Sequence, residues 1–257
     1  MTDVAFPGGI QVPAYPGDMM ARKAAWLIAL AWLTASVPGF AGDEQDDLDA
    51  LQGRLDSHWQ LVKIDQMRNI RTWARQENGK RFRSFRVQAV LDVPAESVVR
   101  VMLDFENYAR WYWHVSESRL LKKVSPTEYY VYLVHRAPFG LPDRDVILHA
   151  EVEPQTPTRS YITLKIRALP DYVPQHPPLV RVLSEDMAIR FTPTPEGKVL
   201  VESEGYIDPG GAVPSWATNL IQRSAPYTAV VGLARMAEKD EYRISRLPMP
   251  FPVLSRL

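Results

Sequence analysis

The chain has 257 residues, of which 46% are hydrophobic and 23% are charged, a balance typical of a globular protein with one large domain or two small ones. Lysine plus arginine and aspartate plus glutamate number 30 each, so no charge excess favours nucleic acid as a partner. The sequence has no cysteine, which excludes disulfides, thiol chemistry, cysteine-ligated zinc and lipidation at an N-terminal cysteine.

The first part of the chain has the pattern of an export signal. Residues 1–18 are rich in Pro and Gly, and Arg22 and Lys23 then precede an apolar stretch over residues 24–37. A small-x-small sequence follows and ends at Ala41, where we expect cleavage. The apolar stretch is shorter than the roughly 20 residues of a membrane span. These features predict an exported protein, periplasmic or secreted; the alternative is a membrane anchor formed by an uncleaved segment.

Three segments follow from this pattern. Residues 1–41 are predicted to be an N-terminal extension plus signal peptide, residues 42–243 a folded domain, and residues 244–257 a Pro-rich tail. Translation is expected to begin at Met19 or Met20. The apolar residues of the tail favour a strap across the domain over a disordered segment.

The domain is predicted to open with a helix and to continue mostly as strands. Acidic residues from Asp43 favour a helix start, and leucines at helical spacing extend the helix to about His58. Beyond it, alternating apolar and polar residues favour antiparallel hairpins over βαβ units. The predicted strands are Leu61–Ile64, Ile70–Arg75, Arg81–Leu91, Ser116–Lys123, Glu128–Arg136, Arg144–Glu153, Ser160–Arg167, Asp186–Thr192 and Lys198–Ile207. Asn78-Gly79 is predicted to be a hairpin turn, and Pro170–Pro178 a proline-rich loop.

Two further helices are predicted within and after the strands. Pro94 begins a short one, and the aromatic stretch Asp104–His114 is predicted to be a helical turn that runs into a strand. Pro214–Tyr242 has the pattern of one long amphipathic helix after the turn Asp208–Gly211. Pro226 lies inside this helix and predicts either a hinge or a static bend. The apolar stripe that is expected to face the sheet consists of Trp216, Leu220, Tyr227, Val231, Ala234 and Ala237, and Ile221 and Val230 widen it.

Several short sequences, in order along residues 43–242, carry a resemblance to one known family. They are Pro142-Asp143-Arg144-Asp145; Asp104–Tyr108 with Trp111; Pro170–Pro174 with Val180-Arg181-Val182; and Asp208–Gly211 with Val213–Trp216. The set resembles the START (steroidogenic acute regulatory-related lipid transfer) domains of exported bacterial proteins, whose "RD" signature the first sequence matches. The order of the predicted elements is also that of the helix-grip fold.

The resemblance implies an α+β fold in which a curved antiparallel sheet wraps round a long C-terminal helix and encloses an apolar cavity. It implies that the cavity holds one lipid, sterol or other apolar small molecule, with no cofactor and no covalent chemistry. A carrier of this kind is expected to be a monomer that contacts membranes transiently and does not bind nucleic acid.

The candidate ligand-binding residues come from the inward faces of the predicted strands, the aromatic stretch and the long helix. They are Trp111, Trp113, Val131, Leu133, Arg144, Val146, Leu148, Leu164, Ile189, Trp216, Leu220, Tyr227 and Val231. Ordinary core packing is the alternative role for each of the apolar ones.

Arg144 is the most informative charge in this set. Strand parity places it on the apolar face with Val146 and Leu148, where an unpaired guanidinium is costly. It is expected either to contact a ligand oxygen or to pair structurally with a carboxylate or with carbonyls of the loop Pro138–Pro142. No second inward charge is evident on this strand, which argues against the acidic–basic pair that some START domains use to meet a polar ligand head.

Other functions remain open at this point. A helix-grip enzyme of the cyclase or hydrolase type needs a polar group in the pocket, and Arg144, His135 and Tyr206 are the visible candidates. The five histidines show no close ligand spacing, so no metal site is expected. A third alternative is a domain with a filled core whose function is protein interaction.

Overall fold

The computed structural model describes residues 58–138 and 140–254. The predicted signal peptide and the predicted helix that precedes His58 lie outside this part of the chain. The chain divides between Arg54 and Leu55, and every described residue belongs to the second unit, which includes the C-terminal tail.

The described part of the chain contains a single ten-stranded sheet. Its strands are β1 (Gln60–Asp65), β2 (Ile70–Arg75), β3 (Ser84–Leu91), β4 (Val115–Ser125), β5 (Glu128–His135), β6 (Arg144–Glu153), β7 (Ile162–Ala168), β8 (Val180–Arg181), β9 (Ser184–Pro193) and β10 (Val199–Asp208). The order is β1-β2-β3-β10-β9-β7-β6-β5-β4, and every neighbouring pair on this path is antiparallel. The short strand β8 pairs with β6 in the parallel direction. The predicted antiparallel hairpins are therefore confirmed.

Alternation along the strands gives the sheet one continuous apolar face. On β3, Val87, Ala89 and Leu91 are buried while Arg86 is exposed, as the sequence predicts. The turn before this strand contains Gly79 at φ 79°, a left-handed conformation that suits glycine.

The helices lie over or beside this apolar face. They are α1 (Ala95–Leu103), a 3₁₀ turn (Phe105–Arg110), α2 (Ser215–Ala237) and α3 (Asp240–Arg243). The long helix predicted to reach Tyr242 therefore ends earlier, at Ala237. Lys239 has an extended backbone after it, and the resulting bend lets the Tyr242 hydroxyl donate a hydrogen bond to Asp104 Oδ2 at 2.6 Å.

A second, smaller core lies on the opposite face of the sheet, under the proline-rich loop. It contains Tyr132, Val134, Ile147, Val173 and Leu179. The predicted parity of β6 is correct, but near its start both faces are buried because this loop covers the outer one.

The C-terminal tail packs against the domain as a strap. Phe251 is buried in the main core, and the Leu254 amide donates a hydrogen bond to Gln155 Oε1 at 2.7 Å. Arg100 Nη2 donates to the Leu247 carbonyl at 2.5 Å. The strap interpretation is therefore confirmed as far as residue 254.

Candidate functional site

A cavity lies between the apolar face of the sheet and one face of α2. Its volume, as space open to the centre of a water molecule, is about 220 Å³, whereas a single water needs only about 10–15 Å³. The walls are predominantly apolar, and typical members are Val87, Leu148, Met187, Ile221, Ala225 and Leu233. Such a hollow suits an apolar small molecule.

Arg144 lies at the wall of this cavity and is only partly satisfied. Its side chain is buried, and Nη1 donates to the Pro142 carbonyl, as the structural alternative predicts. Its Nε is buried with no hydrogen-bond partner, and no carboxylate of the described residues lies within 4.0 Å of the guanidinium. Burial lowers the pKa of Arg144, and the charge of Asp143 opposes this effect. The Nε donor therefore remains available to a ligand.

Glu185, on β9, is a second buried charge in the same cavity. It is 4% exposed, and its Oε1 has no hydrogen-bond partner in the described structure. Burial raises the pKa of this carboxyl to about 7. The expectation that Arg144 has no second inward charge holds for its own strand only, because β9 supplies an acidic group.

Strand parity could have found Glu185. It shares a face with Met187 and Ile189, but the strand begins at Ser184 and the predicted strand began two residues later, at Asp186, which left Glu185 out.

An aromatic wall closes another part of the cavity. Trp111, Tyr112 and Trp113 line it, and His135 packs edge-on against Tyr112 with ring centroids 5.7 Å apart. His135 Nδ1 lies 3.1 Å from the Trp113 carbonyl oxygen, while burial lowers the pKa of the imidazole to about 4. His135 is therefore neutral at ordinary pH, and burial holds the pKa of Tyr112 well above its usual value.

The Asp145 of the "RD" sequence has a structural role outside the cavity. Its carboxylate accepts two hydrogen bonds from Arg181, Nε to Oδ1 and Nη2 to Oδ2, both at 2.9 Å. Arg181 Nη1 also donates to the carbonyls of Pro170 and Val173, at 2.6 and 3.0 Å. This fully buried pair ties the proline-rich loop to β6 and positions Arg144 beside it.

The structure brings some of the predicted ligand-binding residues to the cavity. Trp111, Trp113, Arg144, Leu148 and Ile189 line it.

The other predicted sheet residues do not reach the cavity. Val131, Leu133, Val146 and Leu164 are on the predicted face but are at most 2% exposed within the main core. The predicted face of the sheet is correct for these residues, but they are packed within the main core and do not border the cavity.

The predicted face of the long helix is only partly correct, because Ile221 and Val230 line the cavity and Tyr227, Val231 and Ala234 pack against the main core. Trp216 and Leu220 are 48% and 42% exposed, and Tyr227 and Val231 do not line the cavity. The Tyr227 hydroxyl instead donates to Asp65 Oδ2 at 2.7 Å. The residues of α2 that face the cavity are Thr218, Ile221, Gln222, Ala225, Pro226, Ala229, Val230 and Leu233.

The rotation of α2 has a physical cause that its apolar pattern does not reveal. A Cβ added at Gly232 would lie 2.3 Å from the Trp111 carbonyl oxygen, so only glycine permits this approach. The contact fixes one side of α2 against the aromatic wall. Small side chains such as Ala225 and Ala229 then face the cavity and leave it open.

Two of the candidate groups for catalysis, Arg144 and His135, line the cavity, but Tyr206 does not. The Tyr206 ring instead packs under Lys80 Nζ, which lies 4.6 Å from its centroid. The described residues contain no group of three or more His, Cys, Asp or Glu side chains that could hold a metal. None of the described helices is long and apolar enough to span a membrane.

Comparisons with known proteins bear on the fold. No protein-family model matches the chain. An uncharacterized protein of Pseudomonas aeruginosa is 25% identical over 215 residues, which are 83% of this chain and 98% of that protein. A crystal structure of a STAR-related lipid transfer protein fragment from Xanthomonas axonopodis has a TM-score of 0.65 and 29% identity, and covers 72% of this chain and 100% of that chain.

Human STARD10 is similar with a TM-score of 0.60 and 22% identity, over 83% of this chain and 85% of that chain. The fold is START-like. The helix-grip architecture that the sequence resemblance implied is therefore confirmed, and a START-like fold supports binding of an apolar small molecule.

Proposed function

We propose that this START-like domain binds one lipid or other apolar small molecule in the cavity and carries it between membranes without covalent chemistry. The observation that carries the proposal is the apolar cavity of about 220 Å³ covered by α2. Burial of ligand surface there contributes about 25 cal/mol per Å² of apolar area. The lipid-transfer role named for the Xanthomonas axonopodis protein supports the same function.

The ligand is proposed to carry one polar group. Arg144 Nε offers a donor, and Glu185 offers an acceptor when ionised and a donor when protonated. A hydroxyl or carbonyl at one end of an otherwise apolar molecule satisfies groups that are costly to leave unpaired.

Movement of α2 is proposed to admit the ligand. The cavity is smaller than the about 300–1,000 Å³ of typical ligand clefts, so a long lipid requires the helix to shift outward. Pro226 lies on the cavity wall and cannot donate a backbone hydrogen bond to the Gln222 carbonyl. We propose that this point is the hinge.

Transient membrane contact is proposed to involve the outer face of the same helix. Trp216 and Leu220 expose apolar surface there, and α2 carries no acidic residue. We further propose that the protein is a monomer and is exported to the periplasm or the exterior, on the strength of the signal-peptide pattern over residues 19–41.

Mass spectrometry of organic extracts from the natively purified protein tests the proposal. We expect one apolar species in near-stoichiometric amount, which a competing apolar fluorescent probe displaces. Extracts without such a species, together with failure of every lipid tested to compete with the probe, would contradict it.

Catalysis on a hydrophobic substrate is the second candidate function, and Glu185 is the observation that favours it. A buried carboxyl whose pKa is near 7 is suited to general acid–base chemistry. Turnover of a candidate substrate that Glu185→Gln abolishes, while binding persists, would favour the enzyme. The third alternative, a filled core, is disfavoured by the size of the cavity.

A further inference from the structure

A second hollow, here called the outer groove, lies along α2 next to the aromatic wall. Its volume is about 450 Å³. One side is formed by α2 and the other by residues 109–115 with Pro138. The groove and the cavity share Trp111, Tyr112, Trp113 and Pro138, so the aromatic wall separates two distinct spaces.

The helix side of the groove carries three polar side chains and one leucine in a row. Leu220, Ser224, Thr228 and Arg235 line it, and their spacing of 4, 4 and 7 residues keeps them on one face of the helix. The hydroxyls of Ser224 and Thr228 make no hydrogen bond to the described residues. They are therefore available to an incoming group.

The guanidinium of Arg235 adds a positive charge without a carboxylate partner. Its Nη2 donates to the Arg110 carbonyl at 3.1 Å, which directs the side chain across the groove. No carboxylate of the described residues lies within 4.0 Å of Arg235, whereas Arg110 is paired with Glu241 at 2.5 Å. No Asp or Glu lines the groove.

The opposite wall has a fixed shape and includes Trp111, which also lines the cavity. Trp111 is 7% exposed, and its Nε1 has no hydrogen-bond partner in the described structure. The Trp111 backbone is held against Gly232, and His114 has a φ of 51°, a conformation that non-glycine residues seldom adopt. The turn that shapes the groove is thus built into the fold.

We propose that the outer groove binds the anionic oxygen group of a phosphate- or carboxylate-headed amphiphile. Arg235 would supply the charge-assisted hydrogen bonds, with Thr228 and Ser224 as further donors. Leu220, Trp113 and Pro138 offer apolar surface for the first carbons of the chain. This site is distinct from the cavity and goes beyond the proposed carrier function.

Calorimetric titration of the full chain with dodecyl phosphate below its micelle concentration tests the site, with dodecanol as the neutral comparison. We expect Arg235→Gln to weaken dodecyl phosphate binding at least tenfold and Thr228→Val to weaken it severalfold. The matched control is Arg223→Gln, which changes an exposed arginine of the same helix that lines neither hollow. Arg223→Gln should bind as the unmodified chain does.

The cavity variant Ala225→Trp separates this site from the proposed carrier function. Dodecyl phosphate binding should persist in it, whether or not the cavity takes a ligand. Loss of binding in Ala225→Trp, equal weakening by Arg223→Gln, or full affinity in Arg235→Gln would each overturn the proposal.

Two further binding experiments distinguish a free anion from a lipid headgroup as the source of the anionic group. Binding of inorganic phosphate that depends on Arg235 supports a free anion. Binding to phosphatidylglycerol vesicles but not to phosphatidylcholine vesicles, lost in Arg235→Gln, supports a lipid headgroup.

Discussion

Glu185→Gln should change the pH dependence of stability in a defined direction. Burial raises the pKa of this carboxyl from 4.5 to about 7 in the folded state. Below pH 4.5 the group is protonated in both the folded and unfolded states, so it does not lower the free energy of unfolding. Between pH 4.5 and 7 the folded state binds more protons, so the free energy of unfolding falls as the pH rises. Above pH 7 the full cost of the buried carboxylate is present.

The size of this effect follows from the two pKa values. At about 1.4 kcal/mol per pKa unit, the buried carboxylate destabilises the fold by about 3 kcal/mol above pH 7. The amide of Glu185→Gln has nearly the same shape and no charge. We therefore expect the free energy of unfolding of this variant, relative to that of the unmodified protein, to increase by about 3 kcal/mol between pH 4.5 and pH 8.

His135 makes the comparison between the two proteins necessary. Its pKa is lowered from 6.5 to about 4, so its contribution to the free energy of unfolding falls as the pH drops from 6.5 towards 4. This trend opposes that of Glu185 in the unmodified protein, but it is common to both proteins and cancels in the difference.

Urea unfolding followed by tryptophan fluorescence at pH 5, 6, 7 and 8 provides the measurement. The difference in unfolding free energy between Glu185→Gln and the unmodified protein should grow from pH 5 to pH 7 and level off by pH 8. A difference that stays constant would refute the reasoning, because it would mean that Glu185 is not desolvated in the folded state.

Three other changes test the supports of the site. Arg181→Met leaves Asp145 buried and unpaired, so it should lower the free energy of unfolding by about 3–5 kcal/mol. Recovery of stability in the double variant with Asp145→Leu would confirm this cause. An unchanged urea midpoint in Arg181→Met would contradict the prediction. Gly232→Ala should destabilise by about 1–3 kcal/mol in thermal unfolding because its Cβ meets the Trp111 carbonyl, whereas helix propensity alone predicts a gain of up to about 1 kcal/mol. Pro226→Ala should slow the exchange of a fluorescent apolar probe in stopped-flow measurements if Pro226 is a hinge, and equal rates would favour a static bend.

The sheet could be predicted from the sequence because each side chain of a strand can face only one of two sides, the core or the solvent. On β3, one face is apolar and the other is not, so the inward residues follow directly from the period of two. Glu185 was not predicted to face inward only because the predicted strand started at Asp186 and left Glu185 out.

The rotation of α2 could not be predicted in the same way. Apolar residues occur all round this helix, so the stripe from Trp216 to Val231 was one of several possible inner faces. The choice between them depends on a tertiary contact, the approach of Trp111 to Gly232. Arg181 was likewise hidden, because its pairing with Asp145 joins residues 36 positions apart.

Titration of an environment-sensitive apolar probe into matched variants tests the central claim most directly. Ala225→Trp places a large side chain on the cavity wall, and Leu220→Trp places the same side chain on the exposed side of α2. The unmodified protein and Leu220→Trp should each bind one probe per chain, and Ala225→Trp should bind at least tenfold more weakly while it unfolds at a similar urea concentration. Equal binding by all three proteins would contradict the account, because the probe would then lie outside the cavity.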